Sequence, residues 1–150
     1  MTRVRSAAAT ALLLLACFVA PSFAGPPAAD VARQILTLRS MHDAAVHAGN
    51  VDGILAFYTA DVQLMPPGEA TVRGKDAMRA WLATGRLPSP GNVAVSVQAF
   101  GDTVVYVADP KAPRADADED RVRAVCVLAK QADGSWQYKA VIWNTVPPAK

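Results

Sequence analysis

The chain has 150 residues, of which 52% are hydrophobic, and a formal net charge of +2. This length fits one domain, and folding then hides about two thirds of the unfolded surface, enough for a hydrophobic core. The near-neutral charge offers no electrostatic reason to expect a nucleic acid or an anionic membrane as a partner.

The first 24 residues have the pattern of a secretory signal peptide. Two arginines precede an apolar run over residues 7–20, and Ser22-Phe23-Ala24 has the small residues of a cleavage site. The run is shorter than the roughly 20 residues that a membrane span needs, so no span is predicted. We expect export, periplasmic or secreted, with cleavage after Ala24; a lipoprotein anchored at Cys17 is the alternative. The mature domain, residues 25–150, then has balanced charge.

The first half of the mature domain has helical patterns. Asp30 is suited to cap a helix that ends at Gly49, and His42 lies near the middle of the apolar stripe of that helix. Asn50 is suited to cap a second helix. The predicted elements are a helix over residues 30–48, a helix over 51–58, a strand over 61–65 that ends at Pro66-Pro67-Gly68, a short strand over 71–73 and a helix over 75–83.

Beyond a linker at residues 86–91 the hydrophobic period changes to two, which indicates strands. Strands are predicted over residues 92–100, 103–108, 121–130 and 135–145, and the polar segment Asp109 to Asp120 is a loop of unassigned role. Helices followed by an antiparallel sheet indicate an α+β fold with separate layers. We predict three N-terminal helices packed in a curved, four-stranded antiparallel sheet, a cone with a cavity at its open end.

Short motifs occur along the whole mature domain. They are Ala48 to Ile54 (AGNVDGI), Phe57-Tyr58, Asp61, Pro67-Gly68, Val72 to Lys75 (VRGK), Asp133 to Trp136 (DGSW) and Trp143-Asn144. With these motifs the chain resembles the SnoaL-like group of the nuclear-transport-factor-2-like superfamily, which includes ketosteroid isomerase and domain of unknown function 4440. The resemblance implies a cone-shaped, cystatin-like fold with a pocket, but no particular chemistry, because this fold carries many functions.

The catalytic positions of ketosteroid isomerase are changed in this chain. That enzyme uses a basic aspartate, together with a tyrosine and a neutral aspartic acid that donate to the enolate oxygen. Alignment through the Ala-Gly-x-x-Asp-Gly segment puts Pro66 at the base position, His42 at the tyrosine position and Cys126 at the neutral aspartic acid position. Because Pro66 cannot accept a proton, the resemblance does not imply isomerisation by that route.

Six side chains are candidates for the ligand-binding site: His42, Tyr58, Met65, Trp81, Cys126 and Trp143. His42, an imidazole on an apolar stripe, is also the candidate catalytic acid or base. Trp143 matches an aromatic position of the isomerase pocket, and Tyr58, Met65 and Trp81 would extend this apolar wall. Ordinary core packing is the alternative for each. Cys126 is expected to be a structural thiol, because no helix terminus or fixed cation marks it as reactive.

The sequence predicts neither a cofactor nor a metal site. His42 and His47 lie on opposite faces of their helix, and no cluster reaches the three protein ligands that a metal ion needs.

Three functions are consistent with these patterns. The first is an exported domain that binds a small apolar or aromatic molecule. The second is an enzyme of the isomerase, hydratase or cyclase type that uses His42 as acid or base, and the third is a protein-interaction module. Trp136, Tyr138 and Ile142 alternate on the last hairpin, and aromatic side chains on an open sheet face favour a homodimer through that face.

Overall fold

The computed structural model describes residues 28–85, 93–110 and 122–146. The predicted signal peptide, Cys17, the predicted linker at 86–91 and most of the predicted loop Asp109 to Asp120 lie outside the described residues. The described part forms α1 (Ala28–His47), α2 (Val51–Ala56), β1 (Tyr58–Met65), β2 (Val72–Arg73), α3 (Lys75–Leu82), β3 (Val93–Phe100), β4 (Thr103–Pro110), β5 (Val122–Lys130) and β6 (Trp136–Thr145).

The fold is α+β, as predicted, with three helices and one sheet of six strands. The strand order is β2-β1-β6-β5-β4-β3, and all neighbours are antiparallel except β1 and β6, which run parallel. The expected four-stranded antiparallel sheet therefore needs correction to a six-stranded mixed sheet. Alternation along a strand shows which side chains share a face, but it does not show which strand lies beside it.

The junction of α1 and α2 follows from three residues. Gly49 has a φ of 60°, a left-handed conformation that favours glycine and ends α1. Asn50 caps α2, as predicted, because its Oδ1 accepts a hydrogen bond from the Gly53 backbone nitrogen at 2.9 Å. A Cβ at Gly53 would lie 2.7 Å from Asn50 Nδ2, so glycine leaves the room that this cap needs. α2 is shorter than predicted, and Tyr58 begins β1 instead.

An irregularity in the pairing of β5 with β6 reverses the direction of the side chains at one end of β6. Leu128 pairs with Tyr138 and Val127 pairs with Ala140, so Lys139 is an extra residue in β6. A bulge of this kind reverses the alternation of side chains beyond it, and Tyr138 and Val141 are both buried as a result. Lys139 itself is exposed, and its Nζ lies 2.7 Å from Asp61 Oδ2 on the neighbouring strand.

The hydrophobic core lies between the helices and the inner face of the sheet. Its largest fully buried side chains are Ile35, Ile54, Leu64, Met78 and Leu128. The core also contains Trp136 and Tyr138, which are only 5% and 3% exposed. The predicted placement of these two residues on an open dimer face is therefore wrong, because both side chains pack inside their own chain. Ile142, at 48% exposure, does lie on the outer surface.

Candidate functional site

A cavity of about 70 Å³ remains between α1 and the inner faces of β1, β4, β5 and β6. Its apolar wall consists of Leu64, Ala108, Val122, Ala124, Val141 and Trp143. Its polar groups come from one turn of α1, which supplies Arg39, His42 and Asp43, and from the facing strands. All three tyrosines of the chain, Tyr58, Tyr106 and Tyr138, lie in this lining together with Cys126.

His42 is held inside the fold by polar and aromatic contacts. Its side chain is buried, and Nε2 lies 3.0 Å from the hydroxyl oxygen of Tyr58. The imidazole ring also packs edge-on against Phe57, Tyr58 and Tyr138, with centroid distances of 5.7, 5.5 and 5.3 Å. Such edge-to-face geometry is typical of favourable aromatic packing. The imidazole is therefore fixed in orientation, with one nitrogen bonded to a cavity tyrosine.

The other nitrogen of His42 faces a charged pair on the same helix. Its Nδ1 lies 3.6 Å from Asp43 Oδ1, a distance of electrostatic attraction and not of a hydrogen bond. Asp43 Oδ2 in turn lies 3.5 Å from Arg39 Nη2, one helical turn away. Both charged side chains are largely buried. The site thus combines one cation, one anion and one titratable ring at the edge of an apolar space.

Burial keeps the hydroxyl and thiol groups of the cavity protonated. It raises the pKa of Tyr58, Tyr106 and Tyr138 above the ordinary value of a phenol. It also raises the pKa of the Cys126 thiol to about 12, although the charge of Arg39 opposes the shift. A thiol with this pKa has almost no thiolate at neutral pH and is a poor nucleophile. The expectation of a structural role for Cys126 agrees with this environment.

Only four of the six candidate ligand-binding residues line the cavity. His42, Tyr58, Cys126 and Trp143 line the cavity, whereas Met65 and Trp81 are outside its lining. In β1 it is Leu64 that faces the cavity, because alternation places the next residue on the opposite face. Trp81 instead packs against a residue of the lining: its ring centroid is 5.8 Å from that of Trp143.

Four polar cavity residues were not among the candidates: Arg39, Asp43, Tyr106 and Tyr138. Arg39 could have been found, because it stands three residues before His42 on the same helix face, and Asp43 is the i,i+4 partner of Arg39. Tyr106 shares its strand face with Val104 and Ala108, two residues away on either side, so its inward direction could also be predicted. Tyr138 was hidden by the bulge at Lys139, which simple alternation does not reveal.

Two further features concern metals and membranes. Within residues 28–85, 93–110 and 122–146, no three His, Cys, Asp or Glu side chains are grouped as ligands for a metal ion. No helix of that part of the chain combines the length and the apolar character that crossing a membrane requires.

Comparisons place this architecture among known proteins. The sequence profile described as SnoaL-like domain matches residues 38–138. Comparison with curated proteins finds no match. Among solved structures, an NTF2-like protein of unknown function from Pseudomonas putida KT2440 is 23% identical, with a TM-score of 0.62 over 79% of this chain and 88% of that one.

Two other solved structures share the fold. A ketosteroid isomerase-like protein from Erwinia carotovora atroseptica SCRI1043 is 18% identical, with a TM-score of 0.55 over 77% of this chain and 96% of that one. An NTF2-like protein with a cystatin-like fold from Novosphingobium aromaticivorans is 15% identical, with a TM-score of 0.60 over 81% and 85%. Identities this low establish the fold alone. Because the profile spans more than half of its residues, the chain belongs to the SnoaL-like domain family.

Proposed function

We propose that this protein is an exported domain that binds a small, largely apolar or aromatic molecule in the cavity beneath α1. The observation that carries the proposal is the composition of the cavity, an apolar wall that faces polar groups gathered on one side. Sites of this composition are typical of small-molecule binding. The polar groups would hold one end of the ligand, and the wall around Trp143 would cover the rest.

The volume of the cavity limits the size of this ligand. Sites for drug-sized molecules usually measure about 300–1,000 Å³. The space of about 70 Å³ is much smaller, so we propose a ligand with a single ring or its aliphatic equivalent. A ligand with several fused rings would require the helices and the sheet to separate.

Toluene is a suitable first probe of the cavity. We expect it to bind the mature protein and the Ala80→Leu variant alike, because Ala80 lies on the exposed face of α3. We expect Ala124→Leu, which adds three carbon atoms to the cavity wall, to weaken binding by at least about tenfold. Titration followed by nuclear magnetic resonance measures the affinities. Equal binding by the two leucine variants, or no binding by the unmodified protein, would contradict the proposal.

An enzyme that uses His42 as acid or base is the second candidate. The observation in its favour is the buried imidazole, which combines a hydrogen bond to Tyr58 with a nearby carboxylate from Asp43. General acids and bases need a titratable group held at a fixed position beside the substrate. The substrate would be of the same small, apolar class.

A homodimer through the outer face of the sheet is the proposed assembly. In the middle of the sheet, the outer face carries four half-buried valines: Val105, Val107, Val125 and Val127. The exposed Ile142 lies on the same face. Contiguous apolar surface on an open sheet usually packs against another surface, and a second copy of the chain supplies a self-complementary one. The dimer face therefore differs from the aromatic one expected from the sequence.

Native mass spectrometry of protein from its own host tests assembly and export together. We expect a dimer mass, with each chain beginning after Ala24. Val125→Lys should give monomers, because it places a charge at the centre of the apolar outer face. Met41→Lys is the matched control, since Met41 is also an exposed apolar residue but lies on α1, outside the proposed dimer face. Monomers before any substitution contradict the dimer, and a chain that keeps residues 1–24 contradicts export.

A further inference from the structure

We propose that Asp43, His42 and Tyr58 form an ordered array that presents the Tyr58 oxygen to the cavity as a hydrogen-bond acceptor and thereby selects a ligand with a hydroxyl group. The inference rests on the proposed function, because it names the chemistry of the ligand for the same cavity. Tyr58 would contact the ligand, and Asp43 would act as a positioning residue through His42.

The first step concerns the tautomer of His42. A neutral imidazole carries its hydrogen on one nitrogen, and the partners of the two nitrogens decide which one. The Asp43 carboxylate lies 3.6 Å from Nδ1, and its negative charge favours a hydrogen at that position. The other groups around the ring do not oppose this: the charge of Arg39 is paired with Asp43, and Phe57 and Tyr138 present aromatic rings.

The second step fixes the direction of the hydrogen bond to Tyr58. When Nδ1 carries the hydrogen, Nε2 is an acceptor, and the Tyr58 hydroxyl donates to it over 3.0 Å. Burial keeps Tyr58 protonated, so this hydrogen is present at neutral pH. The hydroxyl hydrogen is then committed to His42. The lone pairs of the Tyr58 oxygen are left for a donor from the ligand.

The third step uses Tyr106, on the neighbouring part of the cavity lining. Tyr106 lines the cavity beside Arg39, and burial raises the pKa of its hydroxyl, so Tyr106 keeps a hydrogen that it can donate to a ligand acceptor. The cavity therefore offers both an acceptor and a donor. A hydroxyl group matches both because it donates and accepts, whereas an ether or an aldehyde only accepts. The geometry points to an alcohol or a phenol.

The tautomer can be measured without any ligand. Nitrogen-15 magnetic resonance of the imidazole groups should show His42 with its hydrogen on Nδ1. His47, exposed on the opposite face of α1, supplies the reference signal in the same spectrum. In Asp43→Asn we expect the Nδ1 form of His42 to lose population while the His47 signals stay unchanged. A hydrogen on Nε2 of His42 in the unmodified protein would overturn the inference.

Ligand selection is measured with phenol and benzaldehyde, two one-ring probes that differ in their polar group. We expect phenol to bind more tightly, and the ratio of the two affinities to fall about fivefold in Tyr58→Phe, the effect of one lost hydrogen bond. An unchanged ratio would overturn the inference even though the cavity binds ligands. If toluene, phenol and benzaldehyde all fail to bind, the proposed function is what fails, whereas the tautomer result still tests the array.

Discussion

The protein is expected to lose a large part of its stability as the pH rises from 8 to 10.5, a range in which many proteins stay folded. The cause is the cavity lining, where burial raises the pKa of Tyr58, Tyr106, Tyr138 and Cys126. In the unfolded chain these groups ionise at about pH 9 to 10, whereas in the folded chain they keep their protons. The unfolded state then binds fewer protons, and the free energy of unfolding falls with rising pH.

The expected loss is large compared with the stability of a domain of this size. The pKa of Cys126 rises from 9.0 to about 12, so this thiol alone contributes a loss of about 2 kcal/mol by pH 10.5. Each tyrosine adds roughly 1 kcal/mol at that pH, because an unfolded phenol ionises near pH 10. The sum, about 5 kcal/mol, is a large fraction of the about 5–15 kcal/mol that holds a domain folded.

Urea denaturation at several pH values between 7 and 10.5 measures this loss, and near-ultraviolet absorbance follows phenolate formation. We expect the phenolate signal to appear together with unfolding, because the chain has no tyrosine outside the cavity lining. In Cys126→Ala the decrease between pH 8 and 10.5 should be smaller by about 2 kcal/mol. Phenolate formation near pH 10 in a protein that remains folded would contradict the prediction.

The sequence was sufficient to predict the class of fold and the burial of His42. Helical spacing placed His42 on the buried stripe of α1, and His42 is indeed buried, with its ring against the cavity tyrosine Tyr58. Its exposed counterpart His47 was also predicted correctly. Helix faces are readable in this way because the period of 3.6 residues continues without interruption along α1.

The strands were harder to predict because pairing depends on residues that are distant in the sequence. Lys139 is an ordinary polar residue in an alternating strand, and nothing local marks it as the extra residue of a bulge. The side chain of Tyr138 therefore points inward, against the expected alternation. The parallel pairing of β1 with β6 is likewise a consequence of where the chain returns at its end, and it brings Leu64 beside the cavity.

The composition of the cavity was predictable only in part. Single positions such as His42 and Cys126 are visible as polar groups in apolar patterns. The array that links Asp43, His42 and Tyr58 requires the distance between a helix and a strand, and this distance follows from packing and not from local spacing. The chemistry of the site therefore depends on how α1 packs against the sheet.

Replacement of the two histidines of α1 by alanine is expected to give opposite results. His42→Ala removes a buried ring and leaves the Tyr58 hydroxyl without its partner, for which we expect a loss of about 2–4 kcal/mol in the free energy of unfolding. His47→Ala changes an exposed side chain on the same helix and should stay within about 0.5 kcal/mol of the unmodified protein. Urea denaturation at pH 7 measures both.

A double-mutant cycle separates the hydrogen bond from the lost packing. Tyr58→Phe keeps the aromatic ring and removes only the hydroxyl, so a coupling of about 1–2 kcal/mol between this change and His42→Ala would measure the bond itself. Additive effects would show that the two side chains do not interact in solution.

The same variants distinguish a binding protein from an enzyme, provided that folding is checked first. If the domain only binds, His42→Ala changes the affinity for a one-ring hydroxyl ligand and no turnover is found in any variant. If it is an enzyme, turnover of such a compound should change with pH in a step, and His42→Ala should remove that step while His47→Ala keeps it. A step that survives in His42→Ala would assign the chemistry to another group, and the buried imidazole would then serve only to hold Tyr58 in place.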